Sequence, residues 1–287
     1  MIVLVIQGLL VAAALALALR WIAAFRSSGF AWPAPVAVVI GAVANFFDTL
    51  GIGSFAPTTA GIKFMKLTGD ERIPGTLNVG HAIPTIAQAL IFIAIVKVSV
   101  TLLAACILSA VAGALIGARI VSRLPVNAVR IGMGLALLAA AGLFIARNLG
   151  LVPGGGDALA LEGPLFAAAV ALHFIFGALM TLGVGLYAPA LISLSLLGMD
   201  PRAAFPIMMG ACAFLMPASG LQFIASGRFD SRLALGFALG GVPAVLVAAF
   251  IVREMPLDWL RWLVAGVVVL AALMMLASAR ADARDKS

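Results

Sequence analysis

The sequence contains two nearly identical nine-residue stretches, Thr49-Leu-Gly-Ile-Gly-Ser-Phe-Ala-Pro57 and Thr181-Leu-Gly-Val-Gly-Leu-Tyr-Ala-Pro189. The second follows the first by 132 residues, that is, 181 minus 49. Farther along, Leu124-Pro125 matches Met255-Pro256 and Arg130 matches Arg261, both at an offset of 131. The chain therefore contains an internal repeat, and a one-residue insertion accounts for the change of offset.

The composition around these stretches is that of an integral membrane protein. Hydrophobic residues make up 64% of the 287 residues and charged residues 10%, whereas a soluble domain carries about 25% charged residues. Spanning helices need about 20 apolar residues, and barrel strands alternate polar and apolar positions. The sequence therefore predicts an all-α polytopic membrane protein from its uncharged runs, which are residues 1–19, 73–96, 98–118, 163–199, 203–227, 233–252 and 262–279.

The repeat divides the chain into five predicted parts. These are an extra N-terminal transmembrane helix (1–31), a first repeat (32–148), a polar linker (149–162), a second repeat (163–279) and a cytoplasmic tail (280–287). In each repeat an apolar helix runs into the Gly-x-Gly break, a short segment follows, and three ordinary helices complete the copy. The N-terminal run lacks a basic leading region, so we interpret it as a retained helix rather than a signal peptide.

The short segments after the breaks, residues 55–67 and 187–197, are long enough to reach only about half a bilayer. If each broken pair crosses the membrane once, the 18 Lys and Arg residues divide 9 to 9 between the two sides. If each pair returns as a re-entrant hairpin, they divide 13 to 5. The positive-inside rule therefore favours hairpins, inverted repeats and a cytoplasmic C-terminus in a cell (inner) membrane.

Breaks of this kind are typical of secondary transporters, where free backbone N–H groups at a half-helix start bind anions. We expect the two starts to converge and the glycines to let a ligand approach the backbone. The alternative is tight helix packing with a kink, with the nearby hydroxyls capping freed backbone groups. The candidate substrate-binding residues at the breaks are Thr49, Gly51, Gly53, Ser54, Thr58, Thr181, Gly183, Gly185 and Tyr187.

Polar residues inside the apolar runs add a second set of candidates. Asp48 precedes the first break, while Met180 occupies that place in the second copy. We predict Asp48 as an ion-coupling residue, with pairing to Lys63 as the alternative. A polar helix face formed by Asn78, His81, Thr85 and Gln88, with a kink expected from Pro84, adds Asn78 and His81 to the substrate site and His81 to the coupling pair. Gln222 is a further substrate-binding candidate from the second copy; inter-helix hydrogen bonding is the alternative role for this face.

With these residues in place, the chain resembles the sulfite exporter TauE/SafE family. The resemblance rests on the duplicated glycine break with its following proline, Gly51, Gly53 and Pro57 in the first copy and Gly183, Gly185 and Pro189 in the second. The chain departs from the family's usual Gly-x-Gly-Gly-Gly run, having single Gly-x-Gly units. The resemblance implies an ion-gradient-driven carrier, without ATP, that exports sulfite, an organosulfonate or a related sulfur oxyanion.

Two other classes of function stay open at this point. A membrane thiol–disulfide electron carrier would use Cys106 and Cys212, although Cys106 has no proline beside it. An intramembrane enzyme would need paired carboxylates or a metal-binding motif, and we identify no catalytic residue, metal ligand or cofactor. The expected partners are the lipid bilayer, a small anion and a coupling proton or cation, with no nucleic acid. A homodimer is compatible with the sequence.

Overall fold

The computed structural model describes residues 2–28, 31–117, 126–151, 156–180 and 185–284. Within these ranges the chain is helical and has no β-strand, which confirms the predicted all-α class. Seven of the described helices are long and apolar enough to cross a membrane. The helices are α1 (Ile2–Ser28), α2 (Pro35–Thr49), α3 (Phe55–Met65), α4 (Ile73–Gly80), α5 (Ala82–Ile95), α6 (Val100–Ala112), α7 (Val126–Asn148), α8 (Gly163–Met180), α9 (Tyr187–Leu196), α10 (Pro201–Ser226), α11 (Ser231–Glu254) and α12 (Leu257–Arg284).

Both predicted breaks are present. Between α2 and α3 the backbone leaves the helical conformation at Gly51 (φ 103°) and Gly53 (φ 92°), values that L side chains rarely adopt. Between α8 and α9 the residues 181–184 lie outside the described ranges, and α9 begins at Tyr187. The helices that follow the breaks, α3 and α9, have 11 and 10 residues.

The uncharged run of residues 73–96 forms two helices, because the helix is interrupted at His81, where α4 ends and α5 begins. The interruption has a local cause, because Pro84 has no backbone N–H and its ring opposes the carbonyl of Gly80, four residues earlier. The backbone continues through the interruption, since His81 N donates to Leu77 O and Thr85 N donates to His81 O. The predicted kink is thus seen one turn before the proline.

The chain forms two compact units, and neither follows one repeat. The first consists of Met1–Thr49, Ser54–Ile95 and Cys212–Ile251; the second consists of Leu50–Gly53, Val96–Ala211 and Val252–Ser287. Within the first unit, α2 packs against α3 and α5, and α1 packs against α5. Within the second unit, α6 packs against α8, and α7 packs against α12 and α9. Each unit therefore takes helices from both halves of the sequence.

Equivalent helix pairs meet at equivalent positions in the two units. In the first, a Cβ on Gly240 of α11 would overlap the carbonyl oxygen of Val38 on α2. In the second, Ser109 Oγ of α6 donates to the carbonyl oxygen of Val170 on α8 at 2.7 Å. Val38 and Val170 differ by 132 residues, and Ser109 and Gly240 differ by 131. The offsets of the sequence repeat thus recur in the helix packing.

Loop contacts within the first unit bring three connections to one end. Asp230 N, just before α11, donates to Thr76 Oγ1 in the first turn of α4 at 2.8 Å. Arg232 donates to Trp32 O, just before α2, at 3.2 Å. If α2 and α3 made a single crossing, Trp32 and Thr76 would lie on opposite sides of the membrane, whereas both contact the loop that contains Asp230 and Arg232. The contact agrees with a re-entrant hairpin, while the inverted relation of the two copies stays a prediction.

Candidate functional site

Asp48, in the last turn of α2, is a buried carboxylate surrounded by hydrogen-bond donors. Its side chain is 3% exposed. Gln88 Nε2 on α5 donates to Asp48 Oδ2 at 2.9 Å, and Ser54 interacts with the same carboxylate through its backbone N–H and its hydroxyl. Ser54 is the N-cap of α3. A carboxylate on one side of the break is therefore bound by the start of the helix on the other side.

Gln88 also connects α5 to the neighbouring residue of α2. The second hydrogen of its Nε2 goes to Thr49 Oγ1 at 3.0 Å, and Thr49 Oγ1 donates to Asn45 O at 2.8 Å. Both amide hydrogens of Gln88 are thus used, and the last turn of α2 is bonded to α5 at two adjacent residues. This arrangement fixes the position of the Asp48 carboxylate, because its partner Gln88 is itself held by Thr49.

His81 connects three elements and is fully buried. Asn45 Nδ2 on α2 lies 2.9 Å from His81 Nδ1, and Thr58 Oγ1 on α3 lies 3.0 Å from His81 Nε2. Asn45 Nδ2 also donates to Gly41 O at 2.7 Å, which orients the amide with its nitrogen toward the histidine. Since an amide nitrogen only donates, His81 Nδ1 accepts and Nε2 carries the proton that Thr58 accepts.

The imidazole ring is held on its faces as well as at its nitrogens. It stacks on Phe237 of α11 with ring centroids 5.2 Å apart and an interplanar angle of 6°. Phe55, at the start of α3, lies 6.4 Å away at a tilted angle. His81 in this arrangement is a neutral connector between α2 and α3. Asn45, Asp48, Thr49, His81 and Gln88 form one hydrogen-bonded cluster, the cluster around Asp48. Asp48 carries the charge in this cluster that needs compensation.

The glycines of the first break have different surroundings. A Cβ at Gly51 would lie 2.9 Å from Leu191 Cδ2 of α9, so the absence of a side chain permits this packing within the second unit. A Cβ at Gly53 would meet nothing within 4 Å. Gly53 is therefore required by its positive φ alone, and the space beside it is open.

The structure brings together five of the predicted site residues, Asp48, Thr49, Ser54, Thr58 and His81. Asn78 does not join them, because it is half-buried and its amide donates to Pro74 O of its own helix. Gln222 is exposed on α10. Lys63, the alternative partner of Asp48, is also exposed, and the donors to the Asp48 carboxylate are Gln88 and Ser54.

In the second copy the predicted residues Thr181 and Gly183 lie outside the described ranges. Gly185 precedes α9, and a Cβ there would meet nothing within 4 Å. Tyr187 is the buried first residue of α9. Met180, at the position of Asp48, ends α8. Where the structure describes the second break, it therefore places an apolar side chain at the position that Asp48 occupies in the first.

Asn45 belongs to the cluster, although it is not predicted from the sequence as a site residue. The sequence also placed Thr85 and Gln88 on the polar face without assigning them to the site. The available signal was the spacing of Asn45 to Asp48 and Thr49, three and four residues, which puts all three on one face of α2. A polar face on one helix predicts a polar face on its neighbour, because buried polar groups need partners.

No metal-binding group of three or more His, Cys, Asp or Glu side chains occurs in the described part of the chain. This observation concerns the ligand sets typical of zinc and iron. The amide, hydroxyl and carboxylate oxygens of the cluster around Asp48 are a different, oxygen-only set.

Comparison with known proteins gives one match. Residues 165–287 match the model of the family described as Sulfite exporter TauE/SafE. No curated protein matches the chain, and no solved structure does. The matched region begins in α8 and includes the second glycine break, one of the two on which the resemblance was based. Over residues 165–287 the match confirms that the chain resembles the sulfite exporter TauE/SafE family of membrane transporters.

Proposed function

We propose that this protein is a secondary transporter that moves a small sulfur oxyanion, such as sulfite or an organosulfonate, across the membrane without ATP. The family match and the seven apolar helices support the transporter class. The observation that carries the substrate class is the set of donors at the first break. The N–H and hydroxyl of Ser54 and the amide of Gln88 already bind an oxyanion, the carboxylate of Asp48.

The same donors suit a sulfur oxyanion for a simple reason. Sulfite and sulfonates present several negatively charged oxygens, and buried N–H and O–H donors at a helix start recognise such oxygens. Asp48 competes for these donors while it is charged. Neutralisation of Asp48 by a proton or a cation would release them to the substrate, so that ion binding and anion binding become linked.

The thiol–disulfide alternative receives no support from the surroundings of its two cysteines. Cys106 and Cys212 are both buried and are not joined by a disulfide. Thiol–disulfide exchange needs a thiolate that a partner can reach. Serine replacement of both residues should leave anion transport intact, and loss of transport in that variant would favour the electron carrier.

The direct test is uptake of labelled anions into proteoliposomes under a pH gradient. Sulfite, thiosulfate, small sulfonates and small carboxylates are compared with protein-free liposomes. We expect protein-dependent uptake of at least one sulfur oxyanion and competition among anions with similar oxygen geometry. If none of these anions enters faster than in protein-free liposomes, the proposed substrate class is wrong.

A further inference from the structure

The cluster around Asp48 contains two buried oxygens that have no hydrogen-bond partner. Asn45 Oδ1 and Thr85 Oγ1 are both buried and unpartnered in the structure, and their residues are 0% and 1% exposed. A buried unpaired polar atom costs about 1–3 kcal/mol, so such atoms point to a bound water or ion. In this protein the two lie on the helices that hold Asp48.

Helical spacing places the two unpartnered oxygens on the faces of α2 and α5 that meet. His81, Thr85 and Gln88 are spaced by four and three residues, which puts Thr85 on the face that contacts α2. The bond from Asn45 to His81 precedes Thr85 along this face, and the bond from Gln88 to Asp48 follows it. Thr85 therefore stands between two inter-helix hydrogen bonds.

Gly241 on α11 packs against the same parts of α2 and α5. A Cβ there would lie 2.5 Å from Nδ2 of Asn45, 2.8 Å from the amide carbon of Asn45 and 2.6 Å from Cγ of Pro84. The Asn45 amide and the residue before Thr85 thus approach the same point. The absent side chain of Gly241 makes room for both.

Asp48 adds a charge to this pair of oxygens. Its carboxylate receives neutral donors from Gln88 and Ser54, and His81 is neutral in its hydrogen-bonded form. A buried carboxylate calls for a counter-charge. It also lies in the last turn of α2, where the helix dipole and the terminal carbonyl groups favour a cation.

A proton, a water molecule and an alkali cation are three candidate occupants, and each must be compared with two requirements: partners for the two oxygens and a counter-charge for Asp48. A proton on Asp48 removes its charge but leaves Asn45 Oδ1 and Thr85 Oγ1 without partners. A water molecule satisfies the two oxygens but leaves the carboxylate charge in place. An alkali cation does both, and oxygen ligands at a half-helix C-terminus are how transporters bind Na⁺.

We propose that a sodium ion binds between α2 and α5, with the Asp48 carboxylate, Asn45 Oδ1 and Thr85 Oγ1 among its ligands. The proposal deepens the proposed function, since it names the coupling ion at the same break. Bound sodium compensates Asp48 beside the start of α3 and so favours release of the Ser54 donors to the substrate anion.

The test uses the purified full-length protein without any sulfur anion, so that it does not depend on transport. Thermal unfolding is measured in sodium chloride and in choline chloride at equal ionic strength. Saturating sodium is expected to raise the unfolding midpoint by about 2–4 °C or more. Equal midpoints in the two salts would overturn the proposal.

Thr85→Val is the diagnostic variant, because it removes an oxygen that has no partner to lose. In choline its midpoint should equal or exceed that of the wild type, whereas the sodium-dependent rise should disappear. Ser109→Ala is the matched control. It removes a hydroxyl that donates to Val170 O in the other unit, and it should lower both midpoints while preserving the difference between salts.

Binding of radiolabelled sodium to the wild-type protein keeps the proposal testable without any variant. Saturable binding that unlabelled sodium displaces supports it, and its absence contradicts it. Anion uptake that persists without sodium under a pH gradient would overturn the sodium site while leaving the proposed anion transport standing. If anion uptake fails while sodium binding is intact, the sodium site stands and the proposed anion transport is wrong.

Discussion

Asp48 supplies the buried charge of the first break. In the second copy its place is taken by Met180, so the two breaks are chemically unequal although their glycine motifs match. The charge state of a buried carboxylate that binds the start of a helix affects whether that helix start can bind an anion. While charged, it occupies donors that an anionic substrate would use, and its neutralisation frees them.

Asp48→Asn removes the charge that would link anion uptake to the ion gradient, so gradient-driven uptake should fall by at least about tenfold, since a hydrogen bond to a charged group contributes about 1.5–3 kcal/mol. The measurement is initial uptake into proteoliposomes at matched protein incorporation. Asp157→Asn is the control of identical chemistry, since Asp157 is exposed and forms a surface ion pair with Arg261. It should leave uptake within about twofold. Wild-type rates in the Asp48 variant would remove Asp48 from the mechanism.

His81 and His173 are a natural pair for testing what a buried histidine does in this protein. Both are fully buried. His81 bonds to Asn45 and Thr58 on two other elements. For His173 the described bond is local, from Nδ1 to Ala169 O one turn earlier, and its Nε2 is unpartnered.

His81→Phe should consequently lower the free energy of unfolding by about 1–3 kcal/mol. His173→Phe, the same change in volume, should cost less, because its removal breaks no bond between elements. Thermal unfolding in detergent measures both. If the two variants lose equal stability, or if His173→Phe loses more, the assignment of His81 as the connector of α2 and α3 is wrong.

At the scale of helices, small residues decide how closely the elements approach. Gly240 on α11 meets the backbone of Val38 on α2, and Gly177 on α8 meets the backbone of Ala110 on α6. Such contacts give membrane helices dispersion energy that lipid cannot replace. The contact at Gly240 also lets α11 pack closely on α2, which carries Asn45, Asp48 and Thr49 to the site.

Gly240→Ala should destabilise the protein by more than about 1 kcal/mol, because the new Cβ overlaps the Val38 carbonyl and forces the helices apart. Gly142→Ala on α7 is the matched control. A Cβ there meets nothing within 4 Å, and alanine is the better helix former. The control should be neutral or slightly stabilising by thermal unfolding. A neutral Gly240→Ala would mean that α2 and α11 can separate without cost.

For the whole molecule, the loop contacts bear on the course of the chain through the membrane. In the second unit, Ser99 N donates to Leu159 O at 2.8 Å and Ala158 N donates to Gly198 O at 3.2 Å. Arg261 pairs with Asp157 at 2.9 Å. Neighbouring linker residues thus touch loops that a single crossing of the broken pairs would place on opposite sides. These contacts agree with the hairpin topology that the 13 to 5 charge distribution predicts.

Labelling of single cysteines in intact cells should test this topology. In a background with both native cysteines replaced, a membrane-impermeant reagent should label a cysteine at Asp157 and at Arg253 from outside. Cysteines at Lys63 and at Arg228 should react only after the membrane is opened. Outside labelling of the cysteine at position 63 but not of the cysteine at position 228 would show that α8 and α9 cross as one span and would contradict the hairpin.

The sequence by itself determined the all-α membrane class, the positions of both breaks and the candidate charge at Asp48. These follow from local properties: long apolar runs, glycines that permit positive φ, and the cost of a charge in lipid. The tertiary structure alone decided that Asn45 and Gln88 join Asp48 and His81, while Asn78 and Gln222 do not. Helical spacing tells which residues share a face, but only the packing of one helix on another tells which faces meet.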